Sequence, residues 1–476
     1  MGLDVIAQRR SKLLVVRLGA LAAIAGTFSG CGPALVSATP PVQTGSAAAP
    51  AAIGATQRPT IAPTSLPAIA SARPAPAATE RVAPTEQISA VPTADLVTPT
   101  PVVLSVEERR QIFDEIWRTV KEHYLYSDFH GVDWDAVRDE YGARVEADQT
   151  RDEFYSTMVE MVARLNDQHS RFQPPAAAQE EDATMSNGAV TVGIGVMARA
   201  RADGAFIQVV FPESPAARAD LAPRDRIIAV DGRPYRPDDG DLLGAAGSSV
   251  RLTVVRPGAK PRDVVLTRQE VQNHIVPSYR RFPGDIGYVV IPTLWVNDMD
   301  EQVNGALTDL VAAGRLNGLI LDVRANGGGW SYVLSGILGH FVRGQAGTFF
   351  SRQKIRQLEV PTPAGPDLRR VPLAVLVDND TASYAEVLAA VLQRESGALV
   401  VGSRTAGNTE TIYAYTLADG SRLWLAQEGF RLRDGTNLEG VGVQPDSTVD
   451  VDWTRYSEDD DPQLLEALRL LGAGPK

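Results

Sequence analysis

A serine stands between a predicted strand and a predicted helix, and this junction constrains the fold more than any other part of the chain. Residues 371–377 are apolar and rich in β-branched side chains, as expected of a buried strand. Residues 387–392 have the spacing of a helix that packs on a sheet. Between them, Ser383 can present its hydroxyl at a helix N-terminus, where unpaired N–H groups favour developing negative charge. The pattern therefore allows a nucleophile with half of an oxyanion hole.

The same residues also have a purely structural interpretation. Ser383 can cap the helix, and Glu386, three residues later, can complete a capping box. The local sequence favours this cap, so the argument for a nucleophile depends on the rest of the chain.

The composition limits the possible partners. The chain has 476 residues, enough for two or three domains, and a formal net charge of −12 with a pI near 5.1. It has no basic patch and no basic stripe interleaved with aromatic residues. We therefore expect no nucleic-acid partner. The composition does not indicate an oligomeric state.

The N-terminus has the pattern of a secretory signal. Three basic residues within positions 9–12 precede a mostly apolar segment at 13–27, which is short for a membrane span. Cys31, the only cysteine, stands where bacterial lipoprotein signals place the acylated cysteine, although Phe28 replaces their usual leucine. We expect residues 1–31 to be a signal peptide. The body then works outside the cytoplasm, as a lipid-anchored protein of a bacterial cell envelope or as a secreted protein.

The remaining chain divides by composition and pattern. Residues 32–103 are mostly Pro, Ala, Thr and Ser, which predicts a disordered tether. Helical, then β, then alternating α/β patterns follow. The predicted parts are an N-terminal helical domain at 104–180, a β domain at 181–275, an α/β domain at 276–458 and a C-terminal helix or tail at 459–476.

The β domain resembles a known peptide-binding module. The sequence SPAA at 214–217 and PRDRIIAVDG at 223–232, each between predicted strands, is similar to PDZ domains of the circularly permuted bacterial kind. PDZ domains bind peptide C-termini at a sheet edge and hold the carboxylate on backbone N–H groups. The resemblance implies a carboxylate loop formed by Gly193, Ile194, Gly195 and Val196.

The α/β domain, together with the other parts, resembles the C-terminal processing peptidases, also called tail-specific proteases. The resemblance covers roughly residues 105 to 452. It is carried by DVRANGGG at 322–329, TASYAE at 381–386, VGSRTAGN at 401–408 and LEGVGVQPD at 438–446. It implies a crotonase-like α/β protease core, preceded by the helical domain and the PDZ-like domain.

The resemblance also implies the parts of an active site. Ser383 is the nucleophile, and the oxyanion hole comes from the backbone N–H of Tyr384 and of Gly328 or Gly329. A triple-glycine turn lets the backbone approach a substrate carbonyl closely. The alternative for this turn is a tight connection that needs positive φ angles.

The general base departs from the best-known pattern of the family. Asn408 stands where many members have a lysine, and none of the five lysines of this chain lies on a motif. His169, in LNDQHSRF, resembles the catalytic histidine of the lysine-free, tricorn-core-like branch, in which a glutamate at the position of Glu439 completes the triad. Geometry rather than chain order defines a triad. The alternatives are a packing histidine at 169 and a solvated carboxylate at 439.

Three functions remain open at this point. The first is a serine endopeptidase acting on protein or peptide substrates, with the PDZ-like module recognising substrate tails or gating access. The second is a catalytically inactive scaffold that binds peptide tails, which Asn408 favours. The third is another acyl transfer on the same core. No cofactor is implied, and no metal is expected, because no His, Cys and Asp residues have ligand spacing.

Overall fold

The computed structural model describes residues 104–185, 188–236 and 242–472. The predicted signal peptide at 1–31, with Cys31, and the predicted tether at 32–103 lie outside the described residues. None of the helices described is both long and apolar enough to span a membrane.

The helices are α1 Val106–His123, α2 Trp134–Glu146, α3 Arg151–Ala163, α4 Pro175–Met185, α5 Pro215–Arg218, α6 Met299–Ala312, α7 Ser331–Leu338, α8 Tyr384–Val391 and α9 Pro462–Leu470. The strands are β1 Arg171–Gln173, β2 Val190–Gly193, β3 Val196–Arg201, β4 Gly204–Val210, β5 Arg226–Val230, β6 Arg233–Pro234, β7 Ser249–Val255, β8 Arg262–Thr267, β9 Gln269–Gln272, β10 Ser278–Phe282, β11 Ile286–Val290, β12 Gly318–Asp322, β13 Gly344–Phe350, β14 Ile355–Val360, β15 Leu373–Val377, β16 Leu399–Gly402, β17 Thr411–Thr416, β18 Arg422–Leu432 and β19 Ser447–Thr448.

The N-terminal helices begin at well-capped positions. Ser105 and Glu108 form a capping box at the start of α1, and Thr150 and Glu153 form another at the start of α3. In each box two otherwise unpaired N–H groups find acceptors, which fixes where the helix begins. The apolar faces of α1, α2 and α3 share one buried cluster with β18 residues, including Leu423.

Strand β1 fastens this helical region to the C-terminal half of the chain. It pairs antiparallel with β18, with Phe172 opposite Leu423. Strand β18 belongs to a five-stranded sheet that also contains β13, β14 and β17. The loop between α3 and β1, which carries His169, is therefore held close to residues of the C-terminal half.

The PDZ-like domain is a β-sheet with a short helix. Strands β3, β4, β5, β7 and β8 form the sheet, β6 pairs with β5, and β2 pairs with β9. Ser214 caps α5, and Pro215 is its first residue, as the sequence predicts. Arg224 binds the carboxylate of Asp461 at 3.0 Å, and Arg226 binds that of Asp452 at 3.2 Å. These ion pairs join the domain to the core.

The core is a six-stranded sheet in the order β10, β11, β12, β15, β16 and β19, parallel except at the β10–β11 pair. All five residues of β12 and of β15 are buried, because helices cover both faces. Alternate strand residues pack with α6, α7 and α8 on one face and with α9 on the other. The expected α/β class, the helical N-terminal region and the PDZ-like domain are confirmed.

Candidate active site

Ser383 lies where β15 passes into α8, in an unusual backbone conformation. Its φ is 56° and its ψ is −130°. A non-glycine residue in this region is strained, by roughly 1–3 kcal/mol, and persists only where neighbours hold it. The Ser383 N–H donates to the Asn408 carbonyl at 2.6 Å and to Glu386 Oε2 at 3.1 Å. The contact from Glu386 is half of the capping box expected from sequence.

Glu386 does more than a helix cap requires. Its carboxylate is fully buried and accepts the N–H groups of Gly407 at 2.7 Å and Asn408 at 2.8 Å. It also accepts the Thr405 hydroxyl. Burial raises the pKa of Glu386, although these hydrogen bonds oppose the rise. The side chain thus ties the 405–408 segment to the first turn of α8.

The glycine turn lies directly against the serine. A Cβ on Gly328, whose φ is 84°, would lie 3.0 Å from Ser383 Oγ and 2.9 Å from the Tyr384 nitrogen. A Cβ on Gly329 would lie 1.9 Å from the carbonyl carbon of Leu294. Only glycine fits at either position, so the turn leaves a small open space beside the hydroxyl.

Some of the main-chain N–H groups around this space are hydrogen-bonded and others have no acceptor. Gly328 donates to Asn326 Oδ1 at 2.9 Å, within the turn itself. Among the residues that the structure describes, the N–H groups of Gly329 and Tyr384 have no acceptor. Tyr384 is the first residue of α8, so its N–H is one of those that a helix leaves unpaired. One free donor therefore directly follows Ser383, and the other belongs to the turn that packs against it.

His169 is buried in the loop between α3 and β1. Its exposed fraction is 6%, and its main-chain N–H donates to Asp167 Oδ1 at 2.9 Å. The ring Nε2 lies 3.0 Å from Glu439 Oε1 and 3.6 Å from Glu410 Oε2. The structure thus brings His169 and Glu439 together, 270 positions apart in the chain.

The neighbours of Glu439 hold its carboxylate in place. Oε2 accepts the Thr409 N–H at 2.6 Å and the Glu410 N–H at 3.1 Å, which leaves Oε1 for His169. Burial opposes ionisation of Glu439, but these hydrogen bonds outweigh burial and lower its pKa. Burial also opposes the charged imidazole, but the hydrogen bond to Glu439 and the charge of Glu410 raise the pKa of His169. Both shifts favour an ion pair.

Ser383 and His169 line one cavity of about 1580 Å³. No hydrogen bond joins the two side chains. Tyr384, Gly329 and Asn408 also line the cavity, and no lysine of the described residues does so. Asn408 meets Ser383 and Glu386 through its main chain. A serine–lysine pair is therefore not available in the described part of this cavity.

None of the four residues of the predicted peptide-carboxylate loop of the PDZ-like domain lines this cavity. The Ile194 N–H donates to the Leu242 carbonyl at 3.2 Å, and Gly193 forms an isolated bridge with Leu243. A Cβ on Gly195 would lie 2.2 Å from the Ser214 Cβ. Other PDZ-domain residues do line the cavity, namely Pro212, Glu213 and the stretch 269–274.

Several lining residues had no motif by which the sequence could identify them. Trp295, Trp330 and Trp424 lie on the cavity wall with edge-to-face ring contacts, at centroid distances of 5.1 and 5.9 Å. Glu410 reaches His169 from a segment without recognisable chemistry. His169, Glu410 and Glu439 have donor atoms that all lie within 4.8 Å of one another. The place of Glu410 beside the other two has no signal in the sequence, because the three residues come from separate segments.

Comparisons with known proteins agree with this architecture. Family models match at residues 285–449 (Peptidase family S41), 105–163 (Tricorn protease C1 domain) and 206–256 (PDZ domain). The C-terminal processing peptidase of Tetradesmus obliquus is 30% identical over 73% of this chain and 78% of its own. Tricorn protease homolog 1 of Streptomyces coelicolor is 29% identical over 79% of this chain and 36% of its own. The solved photosystem II D1 C-terminal processing protease has a TM-score of 0.55 at 29% identity and covers 77% of this chain and 98% of its own.

The α/β core, the strand–serine–helix junction and the PDZ domain define a serine peptidase. The chain belongs to the C-terminal processing peptidases of peptidase family S41. The family resemblance expected from the sequence motifs is confirmed. The match to the tricorn C1 model covers the helical region immediately before His169.

Proposed function

We propose that this peptidase hydrolyses internal peptide bonds of protein substrates with Ser383 as nucleophile, His169 as general base and Glu439 as the residue that orients the imidazole. The observation that carries this proposal is the 3.0 Å contact between His169 Nε2 and Glu439 Oε1 beside the cavity that Ser383 lines. A carboxylate in this position fixes the tautomer of the ring and stabilises the imidazolium that forms during the reaction.

The tautomer identifies the basic nitrogen. A neutral imidazole has one N–H, and with that N–H donated from Nε2 to Glu439, the lone pair is on Nδ1. Nδ1 therefore accepts the Ser383 proton. Because no hydrogen bond joins the two side chains in this structure, the ring must approach the hydroxyl when substrate binds. Such tightening on substrate binding is common for catalytic pairs.

The reaction then runs in two halves. As Ser383 Oγ forms a bond to the substrate carbonyl carbon, its proton passes to His169 Nδ1. The same nitrogen returns this proton to the leaving amine as the C–N bond breaks, which leaves an acyl-enzyme. A water molecule gives its proton to His169 and attacks the ester, and the released serine oxygen takes the proton back.

The free N–H groups of Tyr384 and Gly329 hold the oxyanion. Both are unpaired, whereas the Gly328 N–H is used within its own turn. We assign to Gly328 the role of leaving space for the substrate carbonyl.

The PDZ domain serves this site by recognising substrate tails or by gating access to it. Its residues 212–213 and 269–274 line the catalytic cavity, which supports such a role. A tail carboxylate that binds the loop at 193–196 has to displace the Leu242 carbonyl from the Ile194 N–H. Matched peptides with free and amidated C-termini test this role. Faster cleavage of the free form is expected, and equal rates would contradict tail recognition.

The proposed location is the outside of a membrane, through lipid attachment at Cys31 or through secretion. The signal-like pattern at 1–31 and the tether composition of 32–103 support this proposal. In a bacterial host, labelled fatty acid is expected to enter the full chain and not the Cys31→Ser variant. Labelling of both, or of neither, would contradict lipid attachment at Cys31.

The catalytic proposal is tested with casein and a fluorescent phosphonate that reacts with activated serines. The wild-type chain is expected to cleave casein and to be labelled, Ser383→Ala to do neither, and His169→Ala to be labelled at least about 100-fold more slowly. Full activity of His169→Ala would remove the assignment of the base. Absence of cleavage and labelling in the wild type, with tight binding of peptide tails, would favour the scaffold.

A further inference from the structure

Glu410 is a buried carboxylate beside the imidazole to which the proposed mechanism gives no task. Its exposed fraction is 3%, and its Oε1 accepts a hydrogen bond from the Tyr126 hydroxyl. Its Oε2 is buried without a hydrogen-bond donor and lies 3.6 Å from His169 Nε2. An ionisable oxygen in this environment is costly unless something positive pairs with it.

The charges around the imidazole are not balanced. Glu410 and Glu439 both face the same ring nitrogen, and among the described residues neither forms an ion pair with an arginine or a lysine. With both carboxylates ionised, even a protonated His169 leaves one negative charge without a partner. Asp167 is adjacent but satisfied, since it accepts from the His169 and Ser170 N–H groups and from two hydroxyls.

Three side-chain atoms that can ligate a metal lie within reach of one small cation. His169 Nε2 is 3.0 Å from Glu439 Oε1 and 3.6 Å from Glu410 Oε2, and all three atoms lie within 4.8 Å of one another. A tetrahedral Zn²⁺ with bonds of about 2.0–2.2 Å separates neighbouring donors by about 3.3–3.6 Å. One imidazole with two carboxylates suits Zn²⁺, whereas Mg²⁺ and Ca²⁺ prefer oxygen alone.

We propose that His169, Glu410 and Glu439 form a Zn²⁺ site and that the bound metal reversibly inhibits the peptidase. Zn²⁺ binds the lone pair of Nε2, so the one proton of the neutral imidazole moves from Nε2 to Nδ1. Nδ1 then has no lone pair to accept the Ser383 proton. Inhibition rests on the proposed catalytic function, whereas metal binding does not.

Binding is measured on the full chain carrying Ser383→Ala, which keeps all three ligands. After treatment with a chelator and its removal, the protein is titrated calorimetrically with Zn²⁺ alone, and Co²⁺ is added separately to record visible absorption. We expect one Zn²⁺ to bind per chain. We expect the Co²⁺ absorption bands to be those of a metal with a low coordination number. When Glu410→Gln is combined with Ser383→Ala, the affinity for Zn²⁺ is expected to fall at least about tenfold.

The matched control in the same background is Glu213→Gln, which removes an exposed carboxylate that lines the same cavity outside the cluster. It is expected to keep the affinity for Zn²⁺. Thermal unfolding without metal checks that both variants fold. Equal affinity of Glu410→Gln and Glu213→Gln, or no binding by Ser383→Ala itself, would overturn the site.

Inhibition is measured with casein on chains that retain Ser383, each normalised to its own activity in chelator. Wild type and Glu213→Gln are expected to lose activity together as Zn²⁺ rises, and Glu410→Gln to need at least about tenfold more Zn²⁺ for half inhibition. Binding by Ser383→Ala without inhibition of the wild type would overturn the inhibitory role. If the wild type binds Zn²⁺ but does not cleave casein, the proposed function is contradicted and the metal site is supported.

Discussion

The main-chain carbonyl of Asn408 accepts the N–H of Ser383 at 2.6 Å. Asn408 stands where many family members have a lysine, yet here it supports the serine through its backbone. Its own N–H donates to Glu386, which also binds the Ser383 N–H. The residue thus helps to hold the strained serine, while the imidazole comes from another part of the chain.

Replacement of the Asn408 side chain should therefore have little effect. Asn408→Ala keeps both main-chain hydrogen bonds, so we expect kcat/KM for casein within about threefold of wild type, a difference below about 1 kcal/mol. Ser383→Ala measured in parallel sets the background. A loss of about 100-fold or more in Asn408→Ala would show that the asparagine amide takes part in catalysis.

A methyl group at Gly328 should abolish cleavage without unfolding the protein. The added Cβ would lie 3.0 Å from Ser383 Oγ, in the space assigned to the substrate carbonyl, and φ of 84° is unfavourable for alanine. We expect kcat/KM of Gly328→Ala to fall at least about 100-fold.

The control for this variant is Gly305→Ala. Gly305 is exposed on α6, and a Cβ there meets nothing within 4 Å. Alanine is a better helix former by about 1 kcal/mol, so stability should rise slightly and activity should not change. Normal cleavage by Gly328→Ala would place the substrate carbonyl elsewhere.

Loss of the negative charge at Glu386 should damage both stability and activity. The buried carboxylate accepts four hydrogen bonds from the Ser383, Thr405, Gly407 and Asn408 groups, and an amide cannot accept all of them. We expect Glu386→Gln to lower the free energy of unfolding by about 1–3 kcal/mol in urea titrations and to lower kcat. Unchanged kcat in a folded Glu386→Gln protein would show that this carboxylate does not position Ser383.

The pH dependence of cleavage should reflect the raised pKa of His169. The base must be uncharged, so kcat/KM should rise with pH through a limb above 6.5, the ordinary histidine value. Removal of the neighbouring charge in Glu410→Gln should move this limb to lower pH. The measurement is a pH profile of kcat/KM in chelator, and an unmoved limb would show that Glu410 does not act on the titrating group.

The same pair gives a prediction for stability. The pKa of His169 is raised in the folded state. The stability that His169 contributes is therefore present below about pH 6.5 and is lost as pH rises through the folded-state pKa. The folded-state pKa of Glu439 is lowered, so its contribution is present above the ordinary glutamate value and is lost as pH falls. Urea titrations should show that Glu439→Gln costs most stability between these limits. A pH-independent cost would contradict the ion pair.

The parts of the fold with local signals were predictable from the sequence. The buried strand predicted at 371–377 is β15, and the helix predicted at 387–392 is α8, which begins at Tyr384. Strands β13, β14, β17 and β18 had no such signal. In β18 eight of the eleven residues are buried without alternation, and even Glu428 is buried, paired with Arg356. Burial on both faces removes the period of two by which a strand is recognised.

The site was predictable only in part for a related reason. The strand–helix junction and the glycine turn are local, and they identify Ser383 and its neighbours. The meeting of His169 with Glu439 depends on the pairing of β1 with β18, which no local pattern encodes. Their assignment from sequence rested on family resemblance. Glu410 could not be found in this way, because only its burial beside the ring distinguishes it from a solvated carboxylate.

The three-residue pairing of β1 with β18 has a consequence for the life of the newly made protein. The imidazole is synthesised before the strand that receives its segment, which is β18, and before the glutamate that binds its ring, which lies 270 positions later in the chain. On the proposed mechanism, a nascent polypeptide therefore holds the imidazole before the residues that position it have been made. Proteolytic activity then begins only after β18 and Glu439 have met the segment that carries His169.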